Sequence, residues 1–187
     1  MCKRENRLFN YWLAPIIIPS YTIYGHQAPY VALFAGLSCL LQLCGNFIPL
    51  FGLFIGPFAA LPIFVASLIS LSSVFYTYFL SFLLLVIIQP TELFIFPFTT
   101  GLLGICYALG VKWLKRRLFI VLCSSGCLLS GVMFLLSLFQ VPILGAMSFS
   151  AISLMGWLMI VLFFTTYSWV FFDICLVLFF KIRTKLR

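Results

Sequence analysis

Charge is what this chain has least of. Only Glu5, Glu92 and Asp173 are acidic, and His26 is the single histidine. Charged residues make up 7% of the sequence, against roughly a quarter in an ordinary globular domain. Three acids, one of them among the basic residues of the N-terminus, cannot assemble the carboxylate cluster of a metal-dependent phosphotransferase. There is no Gly-rich Walker sequence, which excludes nucleotide hydrolysis by that route. A Gly-x-Ser-x-Gly elbow and a His-Glu-x-x-His helix are both missing, and His26 has no nucleophile close in sequence. Cys123 and Cys127 would share a helix face, but no His, Asp or Glu stands near them to complete a metal site. The seven cysteines therefore read as small, soft packing residues. No cofactor and no metal are expected, and the chain does not read as an enzyme.

What is present is apolar. The sequence is 65% hydrophobic, and its mean hydropathy is +1.25. Those values predict an all-α integral membrane protein with no separate soluble domain. The basic residues fall into three groups: Lys3, Arg4 and Arg7; Lys112, Lys115, Arg116 and Arg117; and Lys181, Arg183, Lys185 and Arg187. Between the groups there is no Lys or Arg from Leu8 to Val111, nor from Leu118 to Phe180. Cytoplasmic loops collect Lys and Arg, so all three groups are expected on the cytoplasmic side. Cations that border apolar spans orient the chain and meet lipid headgroups; they do not line a groove for nucleic acid.

Residues 1–27 read as a basic, interfacial segment, since Pro15 and Pro19 interrupt its apolar run and Tyr11, Trp12, Tyr21 and Tyr24 suit the headgroup level. A first span is expected from about Ala28 to Phe47, with Ala28, Ala32 and Gly36 forming one small-residue stripe. The second runs from about Gly52 to Ser70 and is bent by Pro57 and Pro62. A third, carrying the hydroxyls of Ser73, Thr77 and Ser81, ends at Gln89-Pro90, and a fourth runs from about Leu93 to Lys112. Leu118 to Phe139 makes a fifth. Phe149 to Phe180 is long for one span and short for two, and the polar run Thr165-Thr166-Tyr167-Ser168 divides it into an outer or re-entrant part and a final crossing. About six transmembrane helices, with both termini cytoplasmic, is the count that leaves no basic group outside.

An ionisable residue inside a membrane segment is a functional candidate. Asp173 is expected near the outer end of the last crossing, and Glu92 at the outer start of the fourth span. The outward ends of the spans bring together Gln42, Asn46, Gln89, Thr91, Glu92 and Gln140, with Trp157, Tyr167 and Trp169 adding aromatic surface. A few directed polar groups in apolar surroundings are what a small-molecule site needs. With no Lys or Arg on that side, a neutral or cationic ligand fits better than an anionic one.

In layout, residues 28–187 resemble a substrate-binding (S) component of energy-coupling factor (ECF) transporters. Ala28, Ala32 and Gly36 stand where that family carries a small-x-x-x-small docking stripe, and Asp173 through Lys181-Ile-Arg183 is similar to its last helix and basic tail. Gly52–Ala66 and Phe96–Gly104 are similar in character as well. Ser73, Thr77 and Ser81 depart from the alanines usual in the third helix, and the glycine-rich signature of the biotin branch is missing. The resemblance implies an S-component-like bundle in a bacterial cell membrane. It implies capture of a vitamin-like ligand from outside, and partnership with a transmembrane coupling (T) subunit and two ATPase subunits. Two other readings remain open on the residues alone: a non-transporting scaffold for cell shape or division, and an orphan membrane enzyme dependent on Asp173.

Overall fold

A computed structural model describes residues 27–47, 55–139 and 154–185. The fold is all-α: 92% of it is helical, with no β-strand among the described residues. The first helix, α1, is Ala28–Phe47. A short mixed segment follows, with a 3-10 turn at Gly56–Ala59, α2 at Ala60–Val65 and a second 3-10 turn at Ala66–Leu68. Pro57 and Pro62 cannot donate backbone hydrogen bonds, and the segment changes between two helical geometries instead of holding one. At ~23 Å it is shorter than the ~30 Å hydrocarbon layer. It lies inside the bundle, with Ala59, Ala60, Ile63, Phe64 and Ala66 all buried.

Helix α3, Leu71–Ile88, starts on a side-chain cap in which the Ser73 amide donates to the Ser70 hydroxyl at 3.0 Å. It ends before Pro90, whose ring disfavours helical geometry at Gln89 (φ −145°, ψ 87°). Next come α4, Glu92–Phe98, and α5, Thr100–Trp113, which together form one broken rod. Pro97 removes a backbone donor, and side-chain hydroxyls bond carbonyls around the break. The Thr99 hydroxyl donates to the Ile95 carbonyl at 2.6 Å, and the Tyr78 hydroxyl to that of Pro97 at 3.4 Å. Lys115, at φ 56°, then takes the left-handed position that ends α5, its amide donating to the Gly110 carbonyl at 3.2 Å. Helix α6 is Arg117–Phe139, and α7 is Leu154–Lys185.

Hydrogen bonds between neighbours set the direction of each segment. Gln27, at the start of α1, accepts from Ser73 at the start of α3, so these two ends lie together. Gln42, late in α1, bonds Glu92 at the start of α4, so the opposite ends lie together too. From Glu92, α4 and α5 run back to the basic turn at residues 112–117. Helices α6 and α7 are antiparallel, joined by Arg117–Asp173 and by Ser124–Ser168. The six helical segments therefore alternate in direction. The start of α1, the basic turn and the end of α7 share one end of the bundle.

Four stretches are long and apolar enough to cross a membrane: Leu71–Ile88, Glu92–Trp113, Arg117–Ser137 and Met155–Phe179. The polar run expected to divide the last one does not. The hydroxyls of Thr165 and Thr166 donate to the Val161 and Leu162 carbonyls of their own helix, each at 2.8 Å. Satisfied in this way they need no water, and the 32 residues of α7 stay continuous.

Phe64 of the short segment sits at the centre, with ring centroids 5.1 Å from Phe179, 6.4 Å from Tyr107 and 6.5 Å from Phe172. Behind it, the Tyr107 hydroxyl donates to the Ser168 carbonyl at 2.9 Å, while the Ser124 and Ser168 hydroxyls meet at 2.6 Å. Apolar and polar packing thus tie α5, α6 and α7 together. Two glycines permit close approach to a neighbouring backbone. A Cβ at Gly104 would lie 2.9 Å from the Ala60 carbonyl oxygen, and one at Gly131 would collide with the Phe98 carbonyl oxygen at the Pro97 break.

Candidate functional site

At the end of the bundle away from the basic turn, three helices meet through polar side chains. The Gln42 amide nitrogen donates to Glu92 Oε2 at 2.7 Å, and Thr100 Oγ1 donates to Gln42 Oε1 at 3.0 Å. Gln42 is 7% exposed, Glu92 4% and Thr100 8%. With both ends of its amide engaged, Gln42 has one orientation, and α1 is fastened to α4 and α5. Glu92 opens α4, where the free amides of a first turn favour a negative group. Its backbone amide donates to the Gln89 carbonyl at 3.1 Å, which places Gln89 in the turn just before it. Gln89 Oε1 is buried and has no hydrogen-bond partner among the described residues. An acceptor in that condition costs about 1–3 kcal/mol unless a donor reaches it.

The site therefore offers acceptors. Glu92 supplies a carboxylate and Gln89 an amide oxygen, in a stretch of sequence that holds no Lys or Arg between Leu8 and Val111. A group bearing N–H bonds is the complementary chemistry. Among the described residues, no three His, Cys, Asp or Glu side chains are grouped so as to hold a metal ion.

Of the residues singled out from the sequence, Gln42, Gln89 and Glu92 come together here. Thr91 lies beside them but is exposed, and its side chain makes no cap bond. Asn46 belongs to the last turn of α1; its side chain, and all of Gln140, fall outside the described residues. Trp157 is near the start of α7, at the same end of the bundle.

Asp173 and Trp169 are elsewhere. Asp173 was expected near the outer end of the last crossing; its carboxylate instead meets Arg117 at 3.3 Å, at the basic end. The reason is the continuity of α7, which carries Asp173 down to the level where α6 begins. Trp169 follows Ser168, which lies level with Ser124 and so nearer the basic end than Glu92. Neither can share a ligand with Glu92 in this arrangement.

Sequence reasoning passed over Thr100, taking it only as a small residue of the fourth span. Its spacing of eight from Glu92 would put both on nearly one face of a regular helix, but the break at Pro97 lies between them, and only the folded chain shows them converging on Gln42.

The stripe of α1 faces outward: Ala28 and Ala32 are exposed, and a Cβ on Gly36 would meet nothing within 4 Å. The hydroxyl stripe of α3 faces inward. Ser73, Thr77 and Ser81 are fully buried, and Ser81 Oγ donates to the Thr77 carbonyl at 2.7 Å and lies 3.3 Å from that of Ala35 on α1. The departure of α3 from alanine thus falls within the bundle and not on a second outer stripe.

Comparison with known proteins finds no matching family model, no similar curated protein and no similar solved structure.

Proposed function

We propose that this chain is a membrane-embedded substrate-capture subunit of an ECF-type importer, taking up a small ligand with N–H donors, neutral or cationic, of vitamin-like size. The observation that carries the reading is the acceptor set of Glu92 and Gln89, held by Gln42 and Thr100 at the end away from the basic turn. The positive-inside rule puts the basic end in the cytoplasm and the acceptor set toward the outside. A ligand arriving from that side meets a buried carboxylate and an amide oxygen lacking a donor. The outward stripe Ala28-Ala32-Gly36 supplies a surface on which a coupling subunit's helix can approach closely. Energy would come from a pair of partner ATPases, in keeping with a sequence that holds no Walker motif of its own.

Affinity purification in mild detergent, with co-purifying proteins and small molecules identified by mass spectrometry, tests this reading. The expected result is a membrane coupling subunit with two ATPases, and one recurrent N–H-bearing small molecule. Ala32→Trp removes the partners and keeps the small molecule; Glu92→Gln does the reverse. Recovery of cell-wall or division proteins, without saturable ligand binding, would replace this reading with that of a scaffold.

A further inference from the structure

The basic turn carries a second feature, independent of the ligand site. Arg117 is engaged by Asp173. Lys112, Lys115 and Arg116 are exposed and make no side-chain hydrogen bond or ion pair among the described residues. Beside them Trp113 is 70% exposed, an aromatic ring presented outward at the point where the apolar spans stop. Directly below, α6 turns Phe119 and Leu122 outward as well. The exposed face then narrows to Cys123 and Gly126, and a Cβ on Gly126 would meet nothing within 4 Å.

Phe119, Leu122 and Gly126 follow one face of α6 away from the turn that carries the cations. Gly110 packs against Ile120, and Phe98 against Gly131, so Cys106 of α5 lies level with residues 123–127 of α6. The result is a patch of three cations and a tryptophan above an apolar strip that becomes shallow at a glycine.

We propose that this surface holds an anionic phospholipid of the cytoplasmic leaflet, its phosphate against Lys112, Lys115 and Arg116 and one acyl chain laid over Phe119 and Leu122 toward Gly126. Charge complementarity selects an anion, and the apolar strip beneath selects an anion with a hydrocarbon chain. An acidic protein surface would match the cations and leave the strip exposed. Each Lys or Arg near an anionic leaflet adds to the attraction, and Trp113 stands at the depth where aromatic rings gather.

The test uses the full chain in detergent with equal amounts of phosphatidylglycerol and phosphatidylcholine, retained lipid being counted by native mass spectrometry. Phosphatidylglycerol is expected to be retained over phosphatidylcholine by about tenfold or more, given three cations. Lys112→Gln, Lys115→Gln and Arg116→Gln together abolish the preference. Because loss of these charges also weakens orientation in the membrane, a second variant is needed. Gly126→Leu keeps every charge, puts a side chain in the path of the acyl chain and is expected to lower phosphatidylglycerol retention several-fold. Equal retention of the two lipids by the native chain would overturn the proposal. So would a Gly126→Leu variant that holds phosphatidylglycerol as well as the native chain, or retention of soluble glycerol phosphate as firm as that of the lipid.

Discussion

The two ends of the bundle treat an acid in opposite ways. At one end Glu92 is buried and bonded to the amide of Gln42, in a stretch of chain that contains no Lys or Arg. At the other, the Asp173 side chain is 29% exposed and faces the guanidinium of Arg117 at 3.3 Å. An ion pair that solvent and headgroups reach is screened and contributes little, while a buried carboxylate needs its hydrogen bonds to exist at all. The first arrangement suits a receptive site, because a carboxylate bonded by a neutral amide still favours an incoming cation or N–H group. The second suits a clasp between helices. Of the two acids, only Glu92 is buried at the end away from the basic turn.

Several substitutions would break or sharpen this contrast. The largest effect is expected from Gln42→Leu, which removes both bonds of the amide and leaves the Glu92 carboxylate without that donor. Unfolding in mixed micelles should report a loss of about 2–3 kcal/mol, and an unchanged midpoint would mean that the contact is not formed in the membrane. Glu92→Gln preserves shape and hydrogen bonding, and is expected to cost about 1 kcal/mol or less while removing ligand binding. If ligand binding survives in that variant, the acceptor reading of the site fails.

Thr100→Val removes one neutral hydrogen bond to Gln42. Bonds of that kind between membrane helices average about 0.6 kcal/mol, so a comparable loss in the same unfolding assay is the expected outcome. Asp173→Asn should cost least, at most ~1 kcal/mol, and the difference from the native chain should shrink as salt is raised. Asp173→Asn should also leave ligand binding intact. A variant that lost it would return Asp173 to the site and erase the distinction between the two ends.

Much of the architecture was legible because a bilayer imposes simple constraints. Uncharged runs of about twenty residues, ended by Pro90, by the turn at residues 112–117 or by the basic tail, have few ways to be arranged. The first, third, fourth and fifth spans match the observed segments to within a few residues. The second, expected over Gly52 to Ser70, is described from Ile55 onward, where short 3-10 and α-helical pieces alternate. Two prolines and a largely buried position make it an internal strut around Phe64. The last span misled because Thr165-Thr166-Tyr167-Ser168 reads as a polar break. Hydroxyls that bond their own helix, or Ser124 and Tyr107 beside it, satisfy themselves without leaving it.

The candidate site was half legible. Gln42, Gln89 and Glu92 could be gathered from the ends of their spans, since alternation of direction alone brings those ends together. Which side chains touch depends on helix rotation and on how the chain is redirected at Pro97, and the order of residues gives neither angle. Thr100 was missed for that reason, and Asp173 was placed at the wrong height.

The sequence by itself determined that this chain is helical, apolar and basic only at defined points, because the cost of placing charge in hydrocarbon leaves its record in composition. Tertiary structure alone decided which polar groups meet. The depth of Asp173, the pairing of Gln42 with both Glu92 and Thr100, and the inward turn of the Ser73-Thr77-Ser81 stripe follow from how helices rotate and slide against one another. Packing at positions such as Gly104 and Gly131 sets that rotation, where a single Cβ would force the helices apart.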